Sequence, residues 1–225
     1  MSLDTRGFPS TRTLWQGVVL GTIAQAIRVI GNTTFVHEQS WDVPNYSVQN
    51  SMGARGTITF RQNEVVGVFF DENSPRNPFS SKQQYSVFDF TRKMPSNIAS
   101  LAQDEALQYV LEDLNGQIAP VITAAFWNIG DQITSFEPWD QVVANGAHIV
   151  EFQVLQTEEA FPKWQEEYHL NTGQVKLMKA LYERRMSSPN DIIRLTTDEI
   201  HILQSEGIAG IESARELLKA LRFEL

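Results

Sequence analysis

Gly56 to Asp71 reads GTITFRQNEVVGVFFD. Ile58 and Phe60 alternate with Thr57, Thr59 and Arg61, and Val66, Val68 and Phe70 share one face of the second half. Successive side chains of a strand point to opposite faces, so a two-residue period marks strands. Gln62, Asn63 and Glu64 make a short turn between the two runs, and the segment predicts a β-hairpin. A lone hairpin is marginal in water, so more strands must join it. Tyr85 to Thr91 (YSVFDFT) alternates in the same way and is expected as the third strand of a meander. Between them, Asp71 to Lys82 is a polar loop containing Pro75 and Pro78.

Toward the N-terminus, Leu14 to Ile30 predicts a helix. Val19, Ile23, Ala26, Ile27 and Ile30 recur at helical spacing, and Gly31 with Asn32 stops it. Gly17 and Gly21 permit close approach of another backbone. The apolar run Val18 to Ile30 contains Gln25 and Arg28 and falls short of the roughly 20 apolar residues a bilayer span needs. It also lacks the position and flanks of a secretory segment. It reads as a buried amphipathic helix.

Toward the C-terminus, Pro95 and Ser96 open a helix expected to run to about Leu114, with Gly116 as its stop. Ala119 to Trp127 fits either a strand or a buried helix. Phe136 to Asn145 predicts a short helix closed by Gly146, and His148 to Leu155 (HIVEFQVL) a strand. Thr172 is expected to cap a helix that Ser187 to Asn190 breaks. Thr196 to Glu199 (TTDE) has the pattern of a capping box, with Leu195 and Ile200 as its staple. Gly207 ends that helix, and Ile211 to Phe223 forms the last. The expected fold is α+β: an antiparallel sheet with a packing helix over 1–93, an acidic, aromatic-rich mixed segment over 94–170, and helices over 171–225. No linker separates them, so one compact domain or two closely packed ones is expected.

The 225 residues are 42% hydrophobic and 10% aromatic, enough for a substantial core and against global disorder. Cysteine is absent, which excludes disulfides, thiolate metal sites and cysteine nucleophiles, and fits a cytoplasmic location. The net charge of −9 is unevenly spread. Met94 to Pro162 contains no lysine or arginine, and Met94 to Leu170 holds twelve acids against Lys163 alone. Like charges repel, so a chain that gathers them forgoes stability, and the pattern points to a basic protein partner. Asp104, Glu105, Glu112, Asp113, Asp131, Glu137, Trp139 and Asp140 are the candidate contact residues. Phe126, Trp127, Phe136, Phe152, Phe161, Trp164 and Tyr168 interleave with these acids and are divided between core and interface.

Other chemistry finds less support. Glu166 with His169, and Asp198 with His201, have the three-residue spacing that places two ligands on one helix face. They form the candidate metal set. His37 and His148 complete the histidines, and no G-x-S-x-G signature accompanies them. Asp71 to Asn77 (DENSPRN) is dense in polar groups, as both active-site loops and ordinary strand connections are. Neither a phosphate-binding nor a dinucleotide-binding glycine loop is present, and Gly207 to Ile211 (GIAGI) departs from a helix-hairpin-helix turn at Ile208. No cofactor, nucleic acid or membrane partner is expected. The reading is a cytosolic interaction module, of inhibitor or immunity type, that binds a basic partner through an acidic surface. The alternatives are a metal-dependent enzyme using the four ligands above, and a small-ligand binder with a pocket between sheet and helices. The balance leans against an enzyme, and no motif bears on oligomeric state.

Overall fold

The computed structural model describes residues 7–80 and 84–225. In chain order the elements are α1 (Thr11–Val29), β1 (Gln39–Asp42), β2 (Asn45–Gln49), β3 (Ala54–Arg61), β4 (Glu64–Asp71), α2 (Phe88–Thr91), α3 (Ser96–Asp104), β5 (Leu111–Leu114), β6 (Gln117–Pro120), β7 (Ala124–Ile129), β8 (Gln132–Thr134) and α4 (Trp139–Ala144). There follow α5 (Thr157–Glu167), α6 (Thr172–Ser187), β9 (Ile193–Arg194), α7 (Thr197–Leu203), α8 (Ile211–Ala220) and β10 (Phe223–Glu224). The protein is α+β, with an antiparallel sheet from the N-terminal half and helices closing the chain. It divides into two compact units: 7–12 with Asp42–Glu151, and Thr13–Trp41 with Phe152–Leu225.

In the first unit, the hairpin read from Gly56 to Asp71 is β3–β4. Arg61 pairs with Glu64, and the turn is Gln62–Asn63, with Gln62 at φ 56°. The sheet order is β1-β2-β3-β4-β7-β8. Tyr85 to Thr91 is not its third strand. Residues 84–86 are irregular and Phe88–Thr91 is a helical turn, while the Tyr85 hydroxyl accepts from Ile122 N (2.7 Å) and donates to Ile122 O (3.1 Å). The neighbours of the hairpin are instead β2 and β7. Ala124 to Asn128 of β7 are buried on both faces, so the strand does not alternate. That is why Ala119 to Trp127 looked equally helical.

The expected helix from Ser96 to Leu114 ends at Asp104. Glu105 leaves helical geometry at φ −126°, ψ −84°, one 3-10 turn spans Ala106–Tyr109, and β5 begins. Asn115 (φ 58°) and Gly116 (φ 83°) then close the β5–β6 hairpin. Positive φ at both central residues is what a tight two-residue hairpin turn requires, and Asn-Gly supplies it. Turn chemistry therefore overrode an apolar stripe that continued through Leu107, Val110 and Leu114. His148 to Leu155 is likewise not a strand: a 3-10 turn covers Ala147–Val150 and turns follow. α3 packs Ile98 and Leu101 onto Val66, Val68, Ala125 and Trp127 of the sheet.

In the second unit, α1 is buried on every side rather than amphipathic, and so forms the unit's centre. Leu20, Ile23 and Ile27 pack with Trp164, Met178, Leu181 and Leu218. A Cβ on Gly17 would lie 1.9 Å from the Gln153 carbonyl oxygen, and one on Gly21 would lie 2.8 Å from the Trp164 ring. Both glycines thus permit close approach. The cap of α6 is Asn171, in a reciprocal box with Gln174, one residue earlier than the expected Thr172. The Thr196–Glu199 box caps α7 as read. Burial alone would raise the Glu199 carboxyl, but the Thr196 N–H and the Arg184 guanidinium outweigh it and hold it below the usual carboxylate range. The last helix stops at Ala220; Arg222 at φ 58° turns the chain, and Phe223–Glu224 pairs in parallel with β9. Among the described residues, no helix is long and apolar enough to cross a membrane.

Candidate interaction surface

The register of β2 and β3 sets Asn45 opposite Thr59, Ser47 opposite Thr57, and Gln49 opposite Arg55. Opposed residues share a face, so one side of this ladder is a polar row beside the apolar Val66 and Val68 of β4. Asn45 and Thr59 are buried and need partners. Asn45 Oδ1 accepts from Thr59 Oγ1 (2.6 Å), while its Nδ2 donates to Glu105 Oε2 (2.9 Å) and to the Tyr109 hydroxyl (3.3 Å). Tyr109 in turn donates to Asp42 Oδ2 at 2.5 Å. Partial burial and the neighbouring Asp42 carboxylate push the Tyr109 phenol above its usual range, so it stays protonated as the donor. Farther along the row, Ser47 and Thr57 bond through their hydroxyls (2.9 Å). Arg55 pairs with Glu112 while its guanidinium lies 4.6 Å from the Phe70 ring centre.

Two acids, Asp42 and Glu105, therefore meet at the Asn45–Tyr109 end of this row, while Glu112 is held by Arg55, four residues from Thr59 along β3. Asp104 and Asp113 lie exposed on the same segment. Asp42 and Tyr109 were not singled out from sequence. Asp42 is far along the chain from Glu105, and only packing of the Ala106–Tyr109 turn against the sheet brings it to Tyr109.

The remaining candidates fall elsewhere in the unit. Asp131 lies exposed in the β7–β8 turn, and its carbonyl accepts from Thr11 N. Trp139 is partly buried against Phe8 (ring centres 5.0 Å) and Phe126 (6.3 Å), a packing role. Glu137 is buried, and Arg76 donates to both its carboxylate oxygens at 2.7 Å. Asp140 is exposed at the start of α4. Three strand spacings, roughly 15 Å, separate β3, whose Arg55 pairs with Glu112, from β8. That exceeds the Debye length of about 8 Å at physiological salt, so the two groups act as separate charges. Glu158, Glu159, Glu166 and Glu167 belong to the second unit.

The DENSPRN loop consumes its own polarity. Asp71 Oδ1 accepts from Asn73 N (2.8 Å), Ser74 Oγ donates to Asn145 Oδ1 (2.7 Å), and Asn77 Oδ1 accepts from Phe79 N (2.9 Å). It is a structural connection of Asx turns. Beside it lies a cavity of about 260 Å³ lined by Arg76, Tyr85, Phe90, Arg92, Phe136 and Glu137. Its charges are matched internally, Arg76 with Glu137 and Arg92 with Asp89.

Among the described residues, no three metal-ligating side chains converge. Glu166 is in α5, but His169 lies past the Tyr168 cap at φ 52°, so the two do not share a helix face. Asp198 and His201 sit exposed on α7. The four candidate ligands thus form no metal-binding group. Compared with protein-family models, with curated proteins and with solved structures, the chain matches none.

Proposed function

We propose that this chain is a cytoplasmic protein–protein interaction module, of inhibitor or immunity type, that binds a basic partner through the acidic surface of its first unit. The observation that carries the reading is the meeting of Asp42 and Glu105 at Tyr109 and Asn45, with Asp104 and Asp113 exposed on the segment that carries Glu105 and Tyr109. Acids gathered from distant parts of the chain steer a cationic partner, and a half-exposed tyrosine provides an amphipathic contact. Asp131 and Asp140 lie outside this patch and contribute only at long range.

The test is affinity capture from the native lysate by the wild-type chain and by an Asp104→Lys/Asp113→Lys variant, at about 0.05 M and about 1 M salt. The Debye length falls to about 3 Å at the higher concentration. A basic protein held by the wild type at low salt, released at high salt and lost by the variant supports the reading. Equal capture by both chains, or capture indifferent to salt, removes it.

A further inference from the structure

The β5–β6 hairpin has two unlike faces. Its register sets Leu111 opposite Pro120 and Asp113 opposite Ile118, so these four share one face. Glu112, Leu114, Gln117 and Ala119 share the other. The second face is turned toward the sheet, because Glu112 pairs with Arg55 of β3. The first face is left in water, with Ile118 71% and Leu111 40% exposed.

Single exposed aliphatics are ordinary, but here two stand on one face of a four-residue ladder that has little other apolar surface. Asp113 stands directly opposite Ile118 and two residues from Leu111 on that face, and Asp104 is exposed on the same segment. The base tied to the hairpin, Arg55, is committed to Glu112 on the opposite face. A second copy docking through this same face would set like charges against each other, so the face does not pair with itself.

We infer that the outward face of the β5–β6 hairpin is the docking site for an extended, basic segment of a partner protein. Its lysines or arginines meet Asp113, and its alternating aliphatic side chains cover Leu111 and Ile118. This rests on the interaction reading above and narrows it to one face and one kind of segment.

The test is fluorescence anisotropy of two labelled peptides, one alternating Lys with Val and one alternating Lys with Ser. They are titrated with the full chain and with the variants Ile118→Ser, Asp113→Asn and Asp140→Asn. The wild type is expected to prefer the Lys–Val peptide. Ile118→Ser should weaken that peptide about tenfold and erase the preference, since a buried isoleucine contributes about that much. Asp113→Asn should weaken both peptides and flatten their salt dependence. Asp140→Asn, on α4, should change neither. Circular dichroism checks each fold, and the exposure of Ile118 and Asp113 predicts no loss. Unchanged Lys–Val binding by Ile118→Ser overturns the hairpin site while leaving the interaction reading standing. Failure of the wild type to bind either peptide at low salt overturns both.

Discussion

Arg76 and Glu137 form the most committed ion pair of the first unit. Two parallel N–H···O bonds fix their geometry, and Arg76 Nη1 also donates to the Thr123 carbonyl (3.1 Å). Removing one partner strands a charge with little water to solvate it. Arg76→Met and Glu137→Gln are each expected to cost about 2–3 kcal/mol in urea denaturation, below the full cost for a wholly buried pair because Arg76 is partly exposed. The double variant should cost less than the two singles together. Additive losses would show that the pair does not act as a unit. Tyr85 makes a second residue-scale case. Burial, offset in part by its bond to Ile122, pushes its phenol up to about 12. The unfolded tyrosine gives up its proton near 10, so this stabilisation is complete below about pH 10 and is lost as the pH rises toward 12. Alkaline unfolding followed by tyrosinate absorbance should show that loss. Tyr85→Phe should be less stable near neutral pH, having lost two hydrogen bonds, and should show a shallower alkaline decline. An alkaline decline as steep as the wild type's would count against Tyr85 as its source.

At the scale of elements, α1 and α7 are held by unlike means. α7 depends on a local box, so Thr196→Ala should cost about 1 kcal/mol. α1 depends on what packs against it. Gly17→Ala puts a methyl into the Gln153 carbonyl and should cost about 3 kcal/mol or more despite alanine's better helix propensity. Thermal melts of the two variants compare them directly, and a Gly17→Ala melt equal to wild type would mean that α1 shifts without cost. The same distinction explains what could be read from sequence. The β3–β4 hairpin and the α7 box are local patterns, and their residues carry the evidence within a short window. The pairing of β4 with β7 is not local. Alternation shows that a segment is half buried but not what it pairs with, so Tyr85 to Thr91 was the nearer and wrong partner. β5–β6 was legible through Asn115–Gly116, the turn pair that hairpins favour, yet the apolar stripe running on from α3 outweighed it.

For the whole molecule, each compact unit draws on separated stretches of chain. The second takes α1 from near the N-terminus as the centre of a core otherwise built from Phe152–Leu225. A fragment of residues 152–225 should therefore lack cooperative structure by circular dichroism, because its apolar helix faces lose the helix they cover. Adding a peptide of residues 13–41 should restore helicity and a melting transition. A fragment that melts cooperatively alone would show that α5 to α8 suffice. Charge follows the same logic. Residues 42–151 carry thirteen acids against six bases, and 152–225 carry twelve against nine. Sequence alone determined the α+β class, the central hairpin, the first helix with its close-approach glycines, the α7 cap and the excess of acid. Each of these is set by composition or by contacts a few residues apart. Tertiary structure decided which acids meet. It drew Asp42 to Tyr109 by packing the Ala106–Tyr109 turn against the sheet, withdrew Glu137 into a pair with Arg76, carried His169 off the face of Glu166, and turned Leu111 and Ile118 outward. Those outcomes depend on long-range register and helix termination, which no short window of sequence contains.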